Sequence, residues 1–271
     1  MTEPGPTDPA HAGLTIVLPA YNEAARIGPS LDELLGFLEA PAPGFERTEV
    51  LVVDDGSSDA TAAIVEARAA AMPARRWPAL RLLRQPHRGK GATVRAGVLA
   101  AAGEHVVFTD ADLATPAEQL PAIVAALGEH DVALGSRVQP DGSDRRASQP
   151  RHRRLLGRLF HAFAAAWLTG PVPDTQCGCK GFRREAARDL FGRQRIESIV
   201  FDAEIIHLAR RRGYSIASVP VEWSDKRGSR MRVRPRLALR VALDLLRIPL
   251  IHRRVRRAAR VPAGQPATGG R

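Results

Sequence analysis

Three short acidic stretches carry the chemistry this sequence offers: Pro19-Ala20-Tyr21-Asn22-Glu23, Asp54-Asp55-Gly56-Ser57-Ser58-Asp59 and Asp110-Ala111-Asp112. Each follows directly on an apolar, β-branched run. A carboxylate is costly to bury unless it is paired, hydrogen-bonded or metal-bound. Acids repeated at the ends of three apolar runs therefore mark a place for a cation or a polar ligand. The Asp110-x-Asp112 spacing suits a hard divalent ion, Mg2+ or Mn2+, which takes one or two carboxylates and completes its octahedron with phosphate oxygens and water. Such an ion neutralises charge building on a leaving diphosphate. The paired acids Asp54 and Asp55 could instead accept hydrogen bonds from a base edge and a ribose. The chain lacks both Gly-x-x-x-x-Gly-Lys-Ser/Thr and a Gly-x-Gly-x-x-Gly after its first apolar run, which disfavours a P-loop ATPase and a dinucleotide-binding enzyme.

The elements that must hold these acids follow from the hydrophobic pattern. Strands are predicted over Leu14–Leu18, Thr48–Val53, Leu80–Leu83, His105–Thr109 and Val132–Leu134. Between them come helices over Glu23–Leu38 (with Asn22 as cap), Asp59–Ala71, Gly91–Ala102 and Pro116–Leu127. This alternation predicts an α/β, doubly wound, mostly parallel sheet, whose ligands collect at the carboxyl ends of the strands. In the second half Arg151–Leu168 and Asp202–Arg212 read as helices and Tyr214–Val219 as a strand. Pro235–Arg260 reads as a basic amphipathic helix.

Charge divides along the chain. Its 271 residues carry a net +11, yet residues 1–136 hold 10 basic and 18 acidic side chains. Lys226 to Arg260 holds 13 basic residues and one acid, Asp244. The enzyme-like body is thus near neutral, with a positive segment at one end suited to an anionic surface. That segment lacks interleaved aromatics and matches no nucleic-acid-binding signature, so no nucleic-acid partner is expected. Cys177 and Cys179 are too few for a disulfide framework or a zinc site, and read as reduced thiols with a packing role. The opening residues carry no signal-peptide pattern, and no apolar run approaches the roughly 18 residues of a membrane span. The chain is expected not to be integral to a membrane.

Taken together, Thr15-Ile16-Val17-Leu18-Pro19-Ala20-Tyr21-Asn22-Glu23, Val52-Val53-Asp54-Asp55-Gly56-Ser57-Ser58-Asp59, Gly89-Lys90-Gly91 and Thr109-Asp110-Ala111-Asp112-Leu113 resemble family 2 glycosyltransferases of GT-A fold. The likeness is greatest to the dolichyl- or polyprenyl-phosphate sugar synthases of the β-glucosyltransferase branch. Asp110-Ala-Asp-Leu-Ala-Thr-Pro116, Gly135-Ser136-Arg137, Asp174-Thr-Gln-Cys-Gly-Cys-Lys-Gly-Phe182 and Phe201-Asp202-Ala-Glu204 favour that branch. The resemblance runs from about Leu14 to Met231, so residues 14–232 are expected to form a GT-A domain. Residues 233–260 then form a membrane-associating helical extension, and 1–13 and 261–271 disordered tails.

The resemblance implies roles. Pro19, Ala20, Tyr21 and Glu23 would line a nucleotide pocket, Asp54 would bind the base, and Lys90 would lie near the nucleotide or sugar. Asp110 and Asp112 would hold the ribose side and Mg2+ or Mn2+, with Asp112 the principal ligand. Ala114 stands where mannosyl-transferring relatives often supply Gln, which leaves a third side-chain ligand open and weighs against mannose. Arg137, Gln176 and Lys180 would face donor or acceptor, and Arg230 the phosphates. Asp202 and Glu204 match a segment that supplies a base where the acceptor is a hydroxyl; for a phosphate acceptor they would orient sugar hydroxyls or basic neighbours.

The implied activity is inverting transfer of a sugar, glucose from UDP-glucose, onto a polyprenyl or dolichyl phosphate. It would take place at the cytoplasmic, inner face of a membrane, with peripheral attachment through the basic helix. The alternatives are another donor sugar (mannose or an N-acetylhexosamine) or a soluble sugar or polysaccharide acceptor.

Overall fold

The computed structural model describes residues 12–39, 43–73, 77–139, 141, 143, 168–170, 172–224 and 235–257, with the backbone alone over 235–240. Among them seven strands form one sheet. β1 (Leu14–Ala20), β2 (Thr48–Asp54), β3 (Ala79–Arg84), β4 (His105–Phe108), β5 (Val132–Ser136), β6 (Lys180–Arg183) and β7 (Ile216–Pro220) lie in the order β3-β2-β1-β4-β6-β5-β7. β6 alone is antiparallel to its neighbours, β4 and β5; the other pairs are parallel.

The central strands are near-continuous apolar runs because helices cover both faces. All seven positions of β2 are buried. Alternate residues of β1 serve opposite faces. Leu14, Ile16 and Leu18 pack with Ile27, Leu31 and Leu34 of α1 (Ile27–Glu39) and with Leu120 and Ile123 of α4 (Leu120–Ala126). Val17 faces the other way, with Val94 and Val98 of α3 (Lys90–Ala100), Leu190 and Phe191 of α5 (Arg184–Arg193) and Phe201 and Ile205 of α6 (Phe201–Arg212). Glu49, a buried carboxylate near the start of β2, accepts a 2.9 Å hydrogen bond from Thr15 and pairs with Arg81 at 2.9 Å. α2 (Thr61–Ala71) completes the first half.

Several element boundaries differ from the pattern. α1 begins at Ile27 rather than Glu23, and Asn22 caps no helix. It sits at φ 54°, a left-handed conformation that Asn tolerates, and its Oδ1 accepts from the Ser58 N–H at 2.8 Å. Pro116 is followed by a single 3₁₀ turn before α4. β6 is absent from the hydrophobic reading, because Lys180-Gly-Phe-Arg183 has charges at both ends and takes its strand form from the neighbours it pairs with. Cys177 and Cys179 are free and fully buried, and burial raises both thiols. The helix predicted over 151–168 lies, apart from Leu168, outside the described residues, as do residues 1–11 and 258–271.

The last helix, α7 (Pro235–Ile251), stops short of Arg260. Its apolar side chains from residue 243 onward divide between two faces. Leu245 and Ile248 are buried with Ile196, Val200 and Ala203. Leu243, Leu246, Leu250 and Ile251 are 55%, 46%, 64% and 42% exposed.

Candidate active site

The carboxyl ends of β1, β2 and β4 meet at one edge, where the strand order changes direction around β1. Ala20 lies opposite Asp54 in register and Pro19 opposite Val53. The Ala20 carbonyl accepts from the Asp55 N–H at 2.9 Å. The turn after β1 is sewn to the loop after β2: the Asn22 N–H donates to Ser57 Oγ at 2.9 Å and the Glu23 N–H to Thr61 Oγ1 at 2.7 Å. Tyr21 is left 44% exposed, its ring stacked on His87 with centroids 4.1 Å apart.

The two acids after β2 do different work. Asp54 is buried and accepts from the Ser57 N–H at 3.2 Å. Asp55 organises the loop into α3. It accepts from Gln85 Nε2, the Arg88 N–H and the Gly89 N–H at 2.9–3.0 Å, with His87 Nδ1 2.8 Å from its Oδ2.

After β4 the chain turns tightly, the Leu113 N–H reaching the Asp110 carbonyl at 3.0 Å. Leu113 is held at φ 46°, a conformation that costs a bulky residue about 1–3 kcal/mol and is maintained by its fully buried side chain. The turn presents Asp110 and Asp112 side by side. Lys90, at the start of α3, donates to Asp110 Oδ1 at 2.6 Å. Asp112 accepts from the Ala114 N–H at 3.1 Å, and Arg26 Nη1 lies 3.6 Å from its Oδ2. Burial, and then the adjacent Asp110, raise the Asp112 carboxyl above its ordinary range. Burial works against the charge on Lys90, but Asp110, Asp202 and Asp112 outweigh it and hold the ammonium pKa up.

The antiparallel strand explains how Lys180 arrives. An antiparallel strand begins where its parallel neighbours end, so Lys180 stands opposite Phe108 at the same edge. It is 1% exposed, pairs with Asp202 Oδ1 at 2.7 Å, donates to the Cys177 carbonyl and lies 5.4 Å from the Phe108 ring centroid. Asp202 comes from the first turn of α6, where the helix dipole favours a carboxylate. Burial nonetheless pushes its carboxyl upward against Lys180 and Lys90. Lys90, Lys180, Asp110, Asp112 and Asp202 thus form one mutually compensating group.

Two sequence-predicted residues are engaged elsewhere. Arg137 forms a buried two-point pair with Asp174 (2.6 and 2.8 Å) and lies 5.6 Å from the Trp223 ring centroid. Glu204 is fully buried and accepts from the Arg195 and Ile196 N–H groups at 2.8 Å, with His252 Nε2 2.6 Å away. Arg230 lies outside the described residues. The sequence reading missed Arg26, which grips Glu23 at 2.6 and 2.7 Å while facing Asp112. The i,i+3 spacing from Glu23 was its only local signal. It missed also Gly178, which lies against Asp110.

Residues 15–191 match the family described as Glycosyl transferase family 2. The chain belongs to that family. This glycosyltransferase is 37% identical over 262 residues to a dolichyl-phosphate beta-glucosyltransferase of Trichomonas vaginalis, an alignment covering 92% of this chain and 75% of that protein. It is 35% identical to the dolichyl-phosphate beta-glucosyltransferase of Drosophila melanogaster (85% and 73% covered) and 32% to that of Homo sapiens (80% and 69%). Among solved structures, glucosyl-3-phosphoglycerate synthase from Mycobacterium tuberculosis in complex with UDP superposes with a TM-score of 0.62 at 22% identity, covering 88% of this chain and 80% of that one. A mannosyltransferase from Pyrobaculum calidifontis with GDP-Man and Mn2+ gives 0.53 at 23%, covering 92% and 74%. These likenesses establish the GT-A fold of this glycosyltransferase, with its antiparallel β6 set into an otherwise parallel sheet.

Proposed function

We propose that this glycosyltransferase moves glucose from UDP-glucose onto a polyprenyl or dolichyl phosphate, with inversion, at the cytoplasmic face of a membrane. The observation that carries this reading is the likeness to dolichyl-phosphate beta-glucosyltransferases at 32–37% identity over 80–92% of the chain. That likeness extends well past the residues of the family match.

The site chemistry supports it. The strand-end acids suit a divalent ion: two carboxylates on one turn match an ion that draws its remaining ligands from diphosphate and water, and among the described residues no group of three or more His, Cys, Asp or Glu is placed to hold a metal ion by itself. Asp110 and Asp112 would hold Mg2+ or Mn2+. Ala114 offers no side-chain ligand, and its carbonyl already accepts from the Ser224 N–H at 2.9 Å. When bound, the ion supplies charge neutralisation for a departing diphosphate.

The remaining work falls to the chain. The exposed Tyr21 ring, with the His87 ring stacked on it, would offer an aromatic surface to a base, Asp54 would accept from the base edge, and Pro19 and Ala20 would line the pocket. Glu23, clamped by the Arg26 that also faces Asp112, would line the same pocket. Lys90 is positioned to meet donor phosphate or sugar oxygens. A lipid phosphate is already an oxyanion near neutral pH, so in-line attack needs positioning and charge stabilisation more than a base. Asp202 fits that economy, because its carboxylate is engaged with Lys180.

Access to a lipid acceptor is assigned to α7. Its exposed Leu243, Leu246, Leu250 and Ile251, flanked by Arg247, Arg253 and Arg254, are suited to an anionic headgroup layer. Among the described residues no helix is long and apolar enough to cross a membrane. Residues 14–232 are accordingly read as the transferase domain and 233–260 as its membrane-associating extension.

The test is a donor panel. Radiolabelled UDP- and GDP-sugars are incubated with the protein, polyprenyl phosphate and Mg2+ or Mn2+, then partitioned. Label from UDP-glucose should enter the organic phase and fail to do so after chelation. Label entering only from GDP-mannose or an N-acetylhexosamine donor overturns the sugar, and label confined to a water-soluble product overturns the acceptor.

A further inference from the structure

The segment Gln194–Ser198, between α5 and α6, touches both ends of the molecule's working surface. On one side it holds the start of α3. The Gly91 N–H donates to the Glu197 carbonyl at 3.0 Å, and Gln194 Nε2 donates back to the Gly91 carbonyl at 2.9 Å and to the Ile196 carbonyl at 2.7 Å. Arg88 pairs with the Glu197 carboxylate. The approach is so close that a β-carbon at Gly91 would come within 2.8 Å of the Glu197 backbone and 2.9 Å of Phe201 Cβ. The neighbour of Gly91 is Lys90, whose ammonium grips Asp110.

On its other side the same segment is fastened to the C-terminal helix. Ser198 Oγ donates to Asp244 Oδ2 of α7 at 2.8 Å, and Asp244 is 5% exposed. Glu204 takes the Arg195 and Ile196 N–H groups on its two oxygens and meets His252, the residue directly after α7, at 2.6 Å. Leu245 and Ile248 of α7 close the apolar side against Ile196 and Val200. Glu204, Asp244 and His252 are buried, and a carboxylate satisfied by two backbone donors and an imidazole is a rigid joint rather than a loose contact.

We infer that Glu204, Ser198 and Asp244 are positioning residues that hold Lys90 in place through the Gln194–Ser198 segment, so that the donor site is set by the seating of α7. Glu204 acts on the reaction through this segment and does not touch the substrate. The inference rests on the reading above in one respect, that Lys90 and Asp110 meet the nucleotide sugar. Because α7 also bears the exposed leucines, one helix carries both the outer apolar face and the inner joint.

The test uses the full chain with Ser198→Ala, Glu204→Ala and Glu204→Gln. Amide hydrogen exchange is followed in peptides covering residues 87–93, with a β1 peptide as control. Exchange at 88–92 should accelerate by about tenfold in Glu204→Ala with β1 unchanged, since a local opening leaves the core protected. Glu204→Gln should fall between that variant and the wild type. Ser198→Ala should shift the same amides by about threefold, and carries the test should Glu204→Ala fail to fold. In the same variants the Kd for UDP with Mn2+ should rise by about tenfold while the KM for polyprenyl phosphate stays within about twofold. Unchanged exchange at 88–92, or equal acceleration in the β1 peptide, overturns the inference. A wild-type protein that binds no UDP overturns the donor reading instead, and the exchange data then judge the joint by themselves.

Discussion

The main chain at Gly178 lies against the carboxylate of Asp110, and a β-carbon at position 178 would overlap its Oδ2 and Cγ. Asp110 has little room to yield, since Lys90 holds its other oxygen. Gly178→Ala is expected to displace Asp110 and weaken Mn2+ and UDP binding by more than about tenfold. Titration calorimetry measures this, and unchanged Mn2+ affinity contradicts it.

Asp112 and Asp202 should separate on substitution. Asp112 is partly exposed and accepts one backbone hydrogen bond, which an Asn oxygen can also accept. Asp112→Asn should therefore fold normally yet lose Mn2+ binding and transfer together. Asp202→Asn should retain measurable transfer, because its carboxylate is a partner for Lys180. Complete loss in both, measured by lipid-linked product, would sink the mechanism without a base.

Lys180 is a buried cation whose loss strands an anion. Lys180→Met should destabilise the protein by about 3–5 kcal/mol, because the buried Asp202 loses its ion-pair partner. The double variant Lys180→Met/Asp202→Leu should cost less than the two single changes combined, since neither charge is then orphaned. Urea unfolding of the three proteins gives the comparison.

Tyr214 supplies a pH test remote from the site. Its hydroxyl donates to Asp189 Oδ2 at 3.0 Å, and burial, followed by the Asp189 charge, pushes its pKa up to about 12. An unfolded tyrosine titrates near 10, so between about 10 and 12 the folded protein binds the extra proton. Stability contributed here is lost as pH rises through that window. Tyr214→Phe should flatten this part of the alkaline unfolding curve, and an unaltered slope contradicts the assignment.

The outer face of α7 can be tested without disturbing the inner one. Leu246→Glu/Leu250→Glu alters two exposed residues and should leave the melting temperature nearly unchanged. It should cut flotation with phosphatidylserine vesicles by more than about tenfold, given roughly 1.5–3 kcal/mol for each leucine that would enter the interface. Leu245→Glu, on the buried face, should unfold the helix junction instead. Flotation that survives the double change counts against membrane docking.

Much of this site is visible along the chain because its acids sit next to the strands that place them. Asp54, Asp110 and Asp112 follow apolar runs, and once those runs become parallel neighbours their ends must meet. Lys90 is legible only through the family resemblance of Gly89-Lys90-Gly91, since the hydrophobic pattern starts the helix at Gly91 and the structure starts it at Lys90. Arg26 and Gly178 are less so. Arg26 matters through Asp112, 86 positions away, and Gly178 through Asp110, 68 positions away; neither distance leaves a periodic trace. The antiparallel β6 shows the same limit, since four residues with charged ends become a strand only between β4 and β5.

By itself, then, the sequence determined the alternation of strands and helices, the strand-end acids and the uneven division of charge, all properties written in neighbouring residues. Only the tertiary structure decided which charges compensate which. It turned Glu204 toward Arg195, Ile196 and His252, joined Lys180 to Asp202, and set Leu245 on a packed face of α7 and Leu243, Leu246 and Leu250 on an exposed one. The physical reason is that a buried ionic group is stable only beside its partner, and packing of distant segments chooses that partner.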